Sequence, residues 1–236
     1  MDVTGGGIAG VVFDKDGTLF DFRATWDVWA AGVLADLSEG DAQVLVRLAD
    51  AAQFDLESRS FRPESAIIAG THREAAEILA SALPGADVDR LERDLAEKAS
   101  RAPLAPAADL PSVLGGLRAR GLRLAVMTND AESVARAHLG AVGVLDRFDM
   151  IAGFDSGFGA KPDPGPLWAC ADRMAVPPER CVMVGDSTHD LQAGRAAGMR
   201  CVGVLTGPAG RADLAPLADA VLTDIGALPG WLDSMA

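Results

Sequence analysis

Ile8-Ala9-Gly10-Val11-Val12-Phe13-Asp14-Lys15-Asp16-Gly17-Thr18-Leu19 is the stretch that decides the fold. Its first half is a short apolar run, the pattern of a strand buried on both faces. It ends on two acids and a glycine. A second stretch repeats the arrangement, with Cys181-Val182-Met183-Val184 leading into Gly185-Asp186-Ser187-Thr188-His189-Asp190. In a parallel sheet the carboxyl ends of the strands lie side by side, and ligands sit in the crevice outside them. Acids distant in sequence then converge on one small volume. Carboxylates gathered in this way repel one another and require a cation, and an all-oxygen ligand set favours Mg²⁺. The two stretches predict a magnesium site suited to phosphate chemistry.

Further short strands are expected over 122–128, 149–152 and 201–205, with helices over 131–140, 164–174 and 189–197. Gly198 closes the last of these helices. Such alternation predicts an α/β fold, a Rossmann-like parallel sheet with right-handed crossovers. Residues 20–108 read differently, as helix without a convincing strand. Thr71-His72-Arg73-Glu74 has the spacing of a capping box for a helix to about Leu83, and Asp87 caps another ending near Ser100. Pro103 and Pro106 mark the return, and 109–120, before Gly121, resumes the alternation. The expected organisation is a catalytic core formed by 1–19 and 109–236, with 20–108 inserted as a helical cap. An insert at that point lies over the carboxyl edge of the sheet, where a lid belongs.

Composition narrows the function. The chain has 236 residues, 49% of them hydrophobic, and a net charge of −13. That balance argues against nucleic acid, which needs a basic face, and against an anionic membrane surface. No apolar run approaches the ~18 residues of a membrane span. The start carries no basic region of a signal peptide. Cys170, Cys181 and Cys201 are odd in number, widely spaced and without a CxxC pair, as expected of buried thiols in a reducing cytosol. A cytoplasmic protein acting on a small molecule is the expectation. Lysines occur at positions 15, 98 and 161 alone.

Four motifs occur in order: Asp14-x-Asp16-Gly17-Thr18 after the first strand, Thr128 at the end of the next core strand, Lys161-Pro162, and Gly185-Asp186-x-x-x-Asp190. Together they resemble the haloacid dehalogenase superfamily, in particular its phosphatase branch with a helical cap, and are similar to phosphoglycolate phosphatases. The resemblance implies an aspartyl-phosphate mechanism with Asp14 as nucleophile and Asp16 as general acid and base. It implies Mg²⁺ held by Asp14, Asp186 and the carbonyl of Asp16, with Asp190 in support. Lys161 would neutralise the phosphoryl group, Thr128 and the Asn129 amide would hydrogen-bond its oxygens, Gly17 would admit it closely, and Thr18 would orient Asp14. Asp16 favours a phosphate ester over a carbon–halogen bond. A phosphomutase with the same motifs is the alternative.

Relatives usually carry an apolar residue at position 15. Strand alternation aims Lys15 away from Asp14 and Asp16, and no catalytic role is assigned to it. Within the cap, Arg23, Arg59, Arg62, His72 and Arg73 are candidates for the leaving group. An arginine there would suit a carboxylate-bearing substrate such as 2-phosphoglycolate. Trp26 and Trp29, at helical spacing, read as cap core. Thr128 has a second reading as a cap for the helix near Ala131, and His189 is expected to face solvent.

Overall fold

The computed structural model of the chain describes residues 7–68 and 70–235. Residues 1–6, at the start of the expected core segment 1–19, lie outside the described residues. The first apolar stretch forms β1 (Gly10–Phe13). A π-helical turn at Arg23–Asp27 runs into α1 (Val28–Ser38), then α2 (Ala42–Ala52) and a minimal hairpin, β2 (Phe54–Asp55) and β3 (Ser60–Phe61). Next come α3 (His72–Ser81), α4 (Val88–Ala99) and α5 (Leu110–Ala119). The rest alternates: β4 (Arg123–Met127), α6 (Glu132–Ala141), β5 (Met150–Ala152), α7 (Gly165–Met174), β6 (Cys181–Gly185), α8 (Thr188–Ala196), β7 (Arg200–Val204), α9 (Arg211–Leu214), β8 (Ala220–Leu222) and α10 (Leu228–Asp233).

Six parallel strands form one sheet in the order β5-β4-β1-β6-β7-β8. The chain leaves β1 on one side, through β4 and β5, and returns on the other, at β6. The reversal of winding direction therefore falls at β1, which fixes where a crevice opens at the carboxyl edge. Period-two alternation sorts the strand residues between two cores. Val11, Phe13, Leu124, Val126, Val182 and Val184 pack with Leu110, Leu114 and Leu117 of α5. Val12, Ala125, Met127, Cys181 and Met183 face Leu167, Cys170 and Met174 of α7 instead. Each fully buried Val or Leu here contributes roughly 1.5–3 kcal/mol. All three cysteines are buried and unbridged, and burial pushes each thiol up to about 12.

The helices α1–α4 close around a core of their own. Trp29, Val33 and Leu34 of α1 meet Leu48 of α2, Leu79 of α3, and Leu91 and Leu95 of α4. Side-chain caps start three of these helices: Asp41 takes the amides of Gln43 and Val44, Thr71 and Glu74 form a reciprocal box, and Asp87 takes the amide of Arg90. The chain enters and leaves this layer through two adjacent segments. Asp21 N donates to Ala105 O (2.8 Å) and Ala107 N to Leu19 O (2.9 Å). The hairpin β2–β3 is a strand pair in a stretch where none was expected. β8 at the far sheet edge, with α9 and α10, likewise lies beyond the elements read from the sequence.

Candidate active site

The backbone at the carboxyl edge assembles the acids. Asp14 is the first residue past β1, and its N–H donates to Val184 O of β6 (2.8 Å). Asp186 follows β6 directly. Asp190 sits in the first turn of α8, where its Oδ2 accepts from Ser187 N (3.0 Å) and Ser187 Oγ (2.7 Å). Lys161 lies in the loop after β5. Asn129, past the end of β4, holds that loop as a fork: its Nδ2 donates to Lys161 O and its Oδ1 accepts from Lys161 N, both at 2.9 Å.

Lys161 Nζ stands 2.6 Å from Asp14 Oδ1 and 2.6 Å from Asp190 Oδ1. Asp14, Asp186 and Asp190 each offer a carboxylate oxygen within 4.8 Å of the others, and all are buried. Burial pushes the Asp14 carboxyl up to about 7 against the pull of Lys161. Burial also raises Asp186 well above the usual range, reinforced by Asp14 and Asp190. For Lys161, burial acts to lower the ammonium, but Asp14 and Asp190 hold it above its ordinary value. Three buried carboxylates against one ammonium are under-compensated, and their donors are hard oxygens. That set fits Mg²⁺. Two glycines give Asp186 its place. A Cβ on Gly17, whose φ is +83°, would fall 2.3 Å from Asp186 Oδ2, and one on Gly207 would fall 1.7 Å from the same oxygen.

Several sequence expectations change. The Thr18 hydroxyl donates to Asp186 Oδ1 (3.3 Å), so it supports Asp186 and not Asp14. Thr128 does not cap α6: the N-cap position is Ala131, without a side-chain bond, and Thr128 Oγ1 accepts from Asp130 N (3.1 Å). Lys15 does not point away from Asp16. Its Nζ lies 2.6 Å from Asp16 Oδ2 and 3.1 Å from Asp130 Oδ2. Alternation holds only in extended chain. β1 ends at Phe13, and beyond it Leu19 N and Phe20 N both turn back to Lys15 O. Lys15 is fully buried. Burial opposes its charge, yet Asp16 and Asp130 hold its ammonium above the usual range. It also meets His138 Nδ1 at 3.1 Å, while His138 Nε2–H donates to Ala99 O of α4 (2.8 Å). Burial and then Lys15 keep that imidazole below its ordinary value.

Above the acids lies a cavity of about 80 Å³ between the sheet edge and the helical layer. Asp14, Asp16, Thr128, Asn129, Lys161, Asp186 and Asp190 all line it. Gly17 lies beneath, against Asp186. Of the helical candidates, His72 reaches the cavity, whereas no arginine does among the described residues. Arg23, Arg59 and Arg62 are exposed, and Arg73 is held by Glu77, Asp89 and Glu92. Half-buried His189 lines the cavity instead of facing bulk solvent. Trp26 and Trp29 belong to the core of the helical layer and to the cavity wall at once. Sequence reasoning missed Asp130 and Gly207. Their one signal was position, each close behind the carboxyl end of a core strand.

A family model described as haloacid dehalogenase-like hydrolase matches residues 8–198. The chain belongs to this family. Among curated relatives, the phosphoglycolate phosphatase of Rhodospirillum rubrum is 42% identical over 147 residues, 61% of this chain and 60% of that protein. The one from Nitrosospira multiformis is 46% identical over 85 residues, 36% and 37% of the two chains. The chain thus spans 60% or less of these two relatives' length. A predicted phosphoglycolate phosphatase from Haemophilus somnus shares the fold of this chain, with a TM-score of 0.70 at 20% identity over 95% of this chain and 97% of that one. No helix among the described residues is long and apolar enough to cross a membrane.

Proposed function

We propose that this family member is a Mg²⁺-dependent phosphomonoester hydrolase working through an aspartyl-phosphate on Asp14. The observation that carries the reading is Lys161 Nζ, shared at 2.6 Å between Asp14 and Asp190 on the floor of a small cavity. A nucleophilic carboxylate beside a fixed cation is what phosphoryl transfer from an anionic ester requires. Asp14, Asp186 and Asp190, with the Asp16 carbonyl, would hold the ion, which supplies positive charge against the phosphoryl oxygens. The segment 20–108 serves as the cap.

An Asp14 oxygen attacks phosphorus while the ester oxygen leaves. Asp16, as general acid, gives a proton to that oxygen and is left as carboxylate. It then takes a proton from water as the water attacks phosphorus, which releases inorganic phosphate and regenerates Asp14. Lys161 and the Thr128 hydroxyl stabilise the charge that gathers on the phosphoryl oxygens. Lys15, paired with Asp16, holds that carboxylate toward the cavity and balances its charge after proton transfer. The substrate is a small phosphorylated metabolite. The relatives' names make 2-phosphoglycolate the first ester to try.

The test is phosphate release from p-nitrophenyl phosphate and from 2-phosphoglycolate, with Mg²⁺ and with a chelator. Release that needs Mg²⁺ is expected. Conversion of a sugar phosphate to its isomer without free phosphate would replace the hydrolase with a mutase.

A further inference from the structure

A lysine buried away from water must be held by partners, and Lys15 is held from both layers of the molecule. Its Nζ sits astride the Asp16 carboxylate, 2.7 Å from Oδ1 and 2.6 Å from Oδ2. Its other contacts are Asp130 Oδ2 at 3.1 Å, His138 Nδ1 at 3.1 Å and the face of the Trp26 ring, whose centroid is 5.4 Å away. Trp26 belongs to the helical layer. Asp130 and His138 belong to the sheet layer, yet each is tied across to the helices. His72 Nε2 of α3 lies 3.1 Å from Asp130 Oδ1, and His138 Nε2–H donates to Ala99 O of α4 (2.8 Å). Lys15, Asp130, His72 and His138 are all buried.

An apolar side chain at position 15 would need none of these partners. An ammonium on a flexible four-carbon stem needs them all if it is to stand in one place. Asp130 is fixed in turn: its N–H donates to Thr128 Oγ1 (3.1 Å), and its Oδ1 accepts from Ala131 N (2.9 Å). Burial acts to raise the Asp130 carboxyl, but Lys15 and then His72 hold it below its ordinary value. Its negative charge therefore anchors the ammonium from the side opposite Asp16. A cation shared by both oxygens of a carboxylate fixes the orientation of that group. Asp16 lines the cavity, so its aim there depends on contacts that reach α3 and α4.

We infer that Asp130 and His72 are positioning residues for the acid of the reaction. Through Lys15 they make the aim of Asp16 conditional on the seating of helix α3 against the carboxyl edge of the sheet. Both act through the lysine, and neither exchanges a proton with the ester. This inference rests on the phosphatase reading and deepens it.

The leaving group separates the aim of the acid from every other effect. Ethyl phosphate and acetyl phosphate are of similar size. Ethoxide departs poorly without a proton, whereas acetate departs as a stable anion and needs none. In both, Asp14 attacks phosphorus as the bond to the leaving oxygen breaks, and kcat/KM reports events up to that departure. The experiment measures kcat/KM for the two compounds, by continuous phosphate detection with Mg²⁺, in wild type, Asp130→Asn, His72→Leu and His72→Gln. Asp130→Asn keeps the shape and removes the charge. His72→Gln keeps an N–H donor that His72→Leu lacks. The ratio of acetyl phosphate to ethyl phosphate is expected to rise at least about tenfold over wild type in Asp130→Asn and His72→Leu, since a misplaced acid loses much of its contribution. In His72→Gln it is expected to stay near the wild-type value. Equal losses on both compounds in Asp130→Asn or His72→Leu overturn the proposal, because a merely structural role lowers both alike. A rise in His72→Gln as large as in His72→Leu overturns it as well. Where Asp130→Asn fails to fold, the two His72 variants decide. Failure of the wild type to hydrolyse either compound or p-nitrophenyl phosphate strikes the phosphatase reading itself. Hydrolysis with an unchanged ratio in the variants strikes this proposal alone.

Discussion

At the scale of single residues, the site is a problem in charge. Lys161 is the cation that touches both Asp14 and Asp190. Lys161→Ala is expected to lower kcat by about 10²–10³, the usual cost of losing one fixed stabilising group. Steady-state phosphate release checks it, and a loss below tenfold would remove Lys161 from the mechanism. Lys15 is bound on all sides, by Asp16, Asp130 and His138. Removing one partner of a buried pair strands the other, so Lys15→Met is expected to destabilise by about 3–5 kcal/mol in urea unfolding. Asp14 and Asp186 were legible in the sequence because each directly follows a short apolar strand, and Asp16 and Asp190 through their spacing from them. The partners of Lys15 were not. They depend on a turn beginning at Lys15, and hydrophobic alternation carries no information once the extended chain stops.

At the scale of elements, helix α3 brings His72 to the cavity. Thr71 caps this helix through Glu74 N, and the Glu74 carboxylate returns to Thr71 N (2.7 Å). Thr71→Ala is expected to cost about 1 kcal/mol in unfolding free energy. A parallel fall in kcat/KM for 2-phosphoglycolate would show that the cap also places His72. The box was readable from four residues, as was the cap at Asp87, because capping is local chemistry. The hairpin β2–β3 was not readable, since strands of two residues leave no periodicity. Its phenylalanines nevertheless matter. Phe54 and Phe61 pack edge to face at 5.3 Å, and Phe61 reaches the cavity.

At the scale of the whole molecule, the acids that form the site oppose folding when no cation balances them. The Asp14 carboxyl rises from 3.8 to about 7 on folding, chiefly through burial. A group raised in this way binds its proton more tightly in the folded protein. Its contribution to stability is complete below the unfolded value and is lost as pH rises through about 7. Asp186 acts in the same direction. The metal-free protein is therefore expected to melt lower at about pH 8 than at about pH 5. Mg²⁺ should raise Tm more at the higher pH, where it meets no bound proton. Asp186→Asn should flatten both trends, and calorimetry would show it. An equal Mg²⁺ shift at both pH values would separate the ion from these carboxylates. The parallel sheet and the crevice at its carboxyl edge were legible from alternation and apolar runs, whereas the strand order and β8 were not read. The cavity wall was not, because it joins α1, β3 and α3, whose packing no local pattern records.

The most direct test traps the phosphoryl group. Rapid acid quench of enzyme, Mg²⁺ and 2-phosphoglycolate or p-nitrophenyl phosphate, followed by peptide mass spectrometry, should find phosphate on Asp14 and none in Asp14→Asn. Turnover that survives Asp14→Asn, or a phosphoryl group on any other residue, would contradict the account.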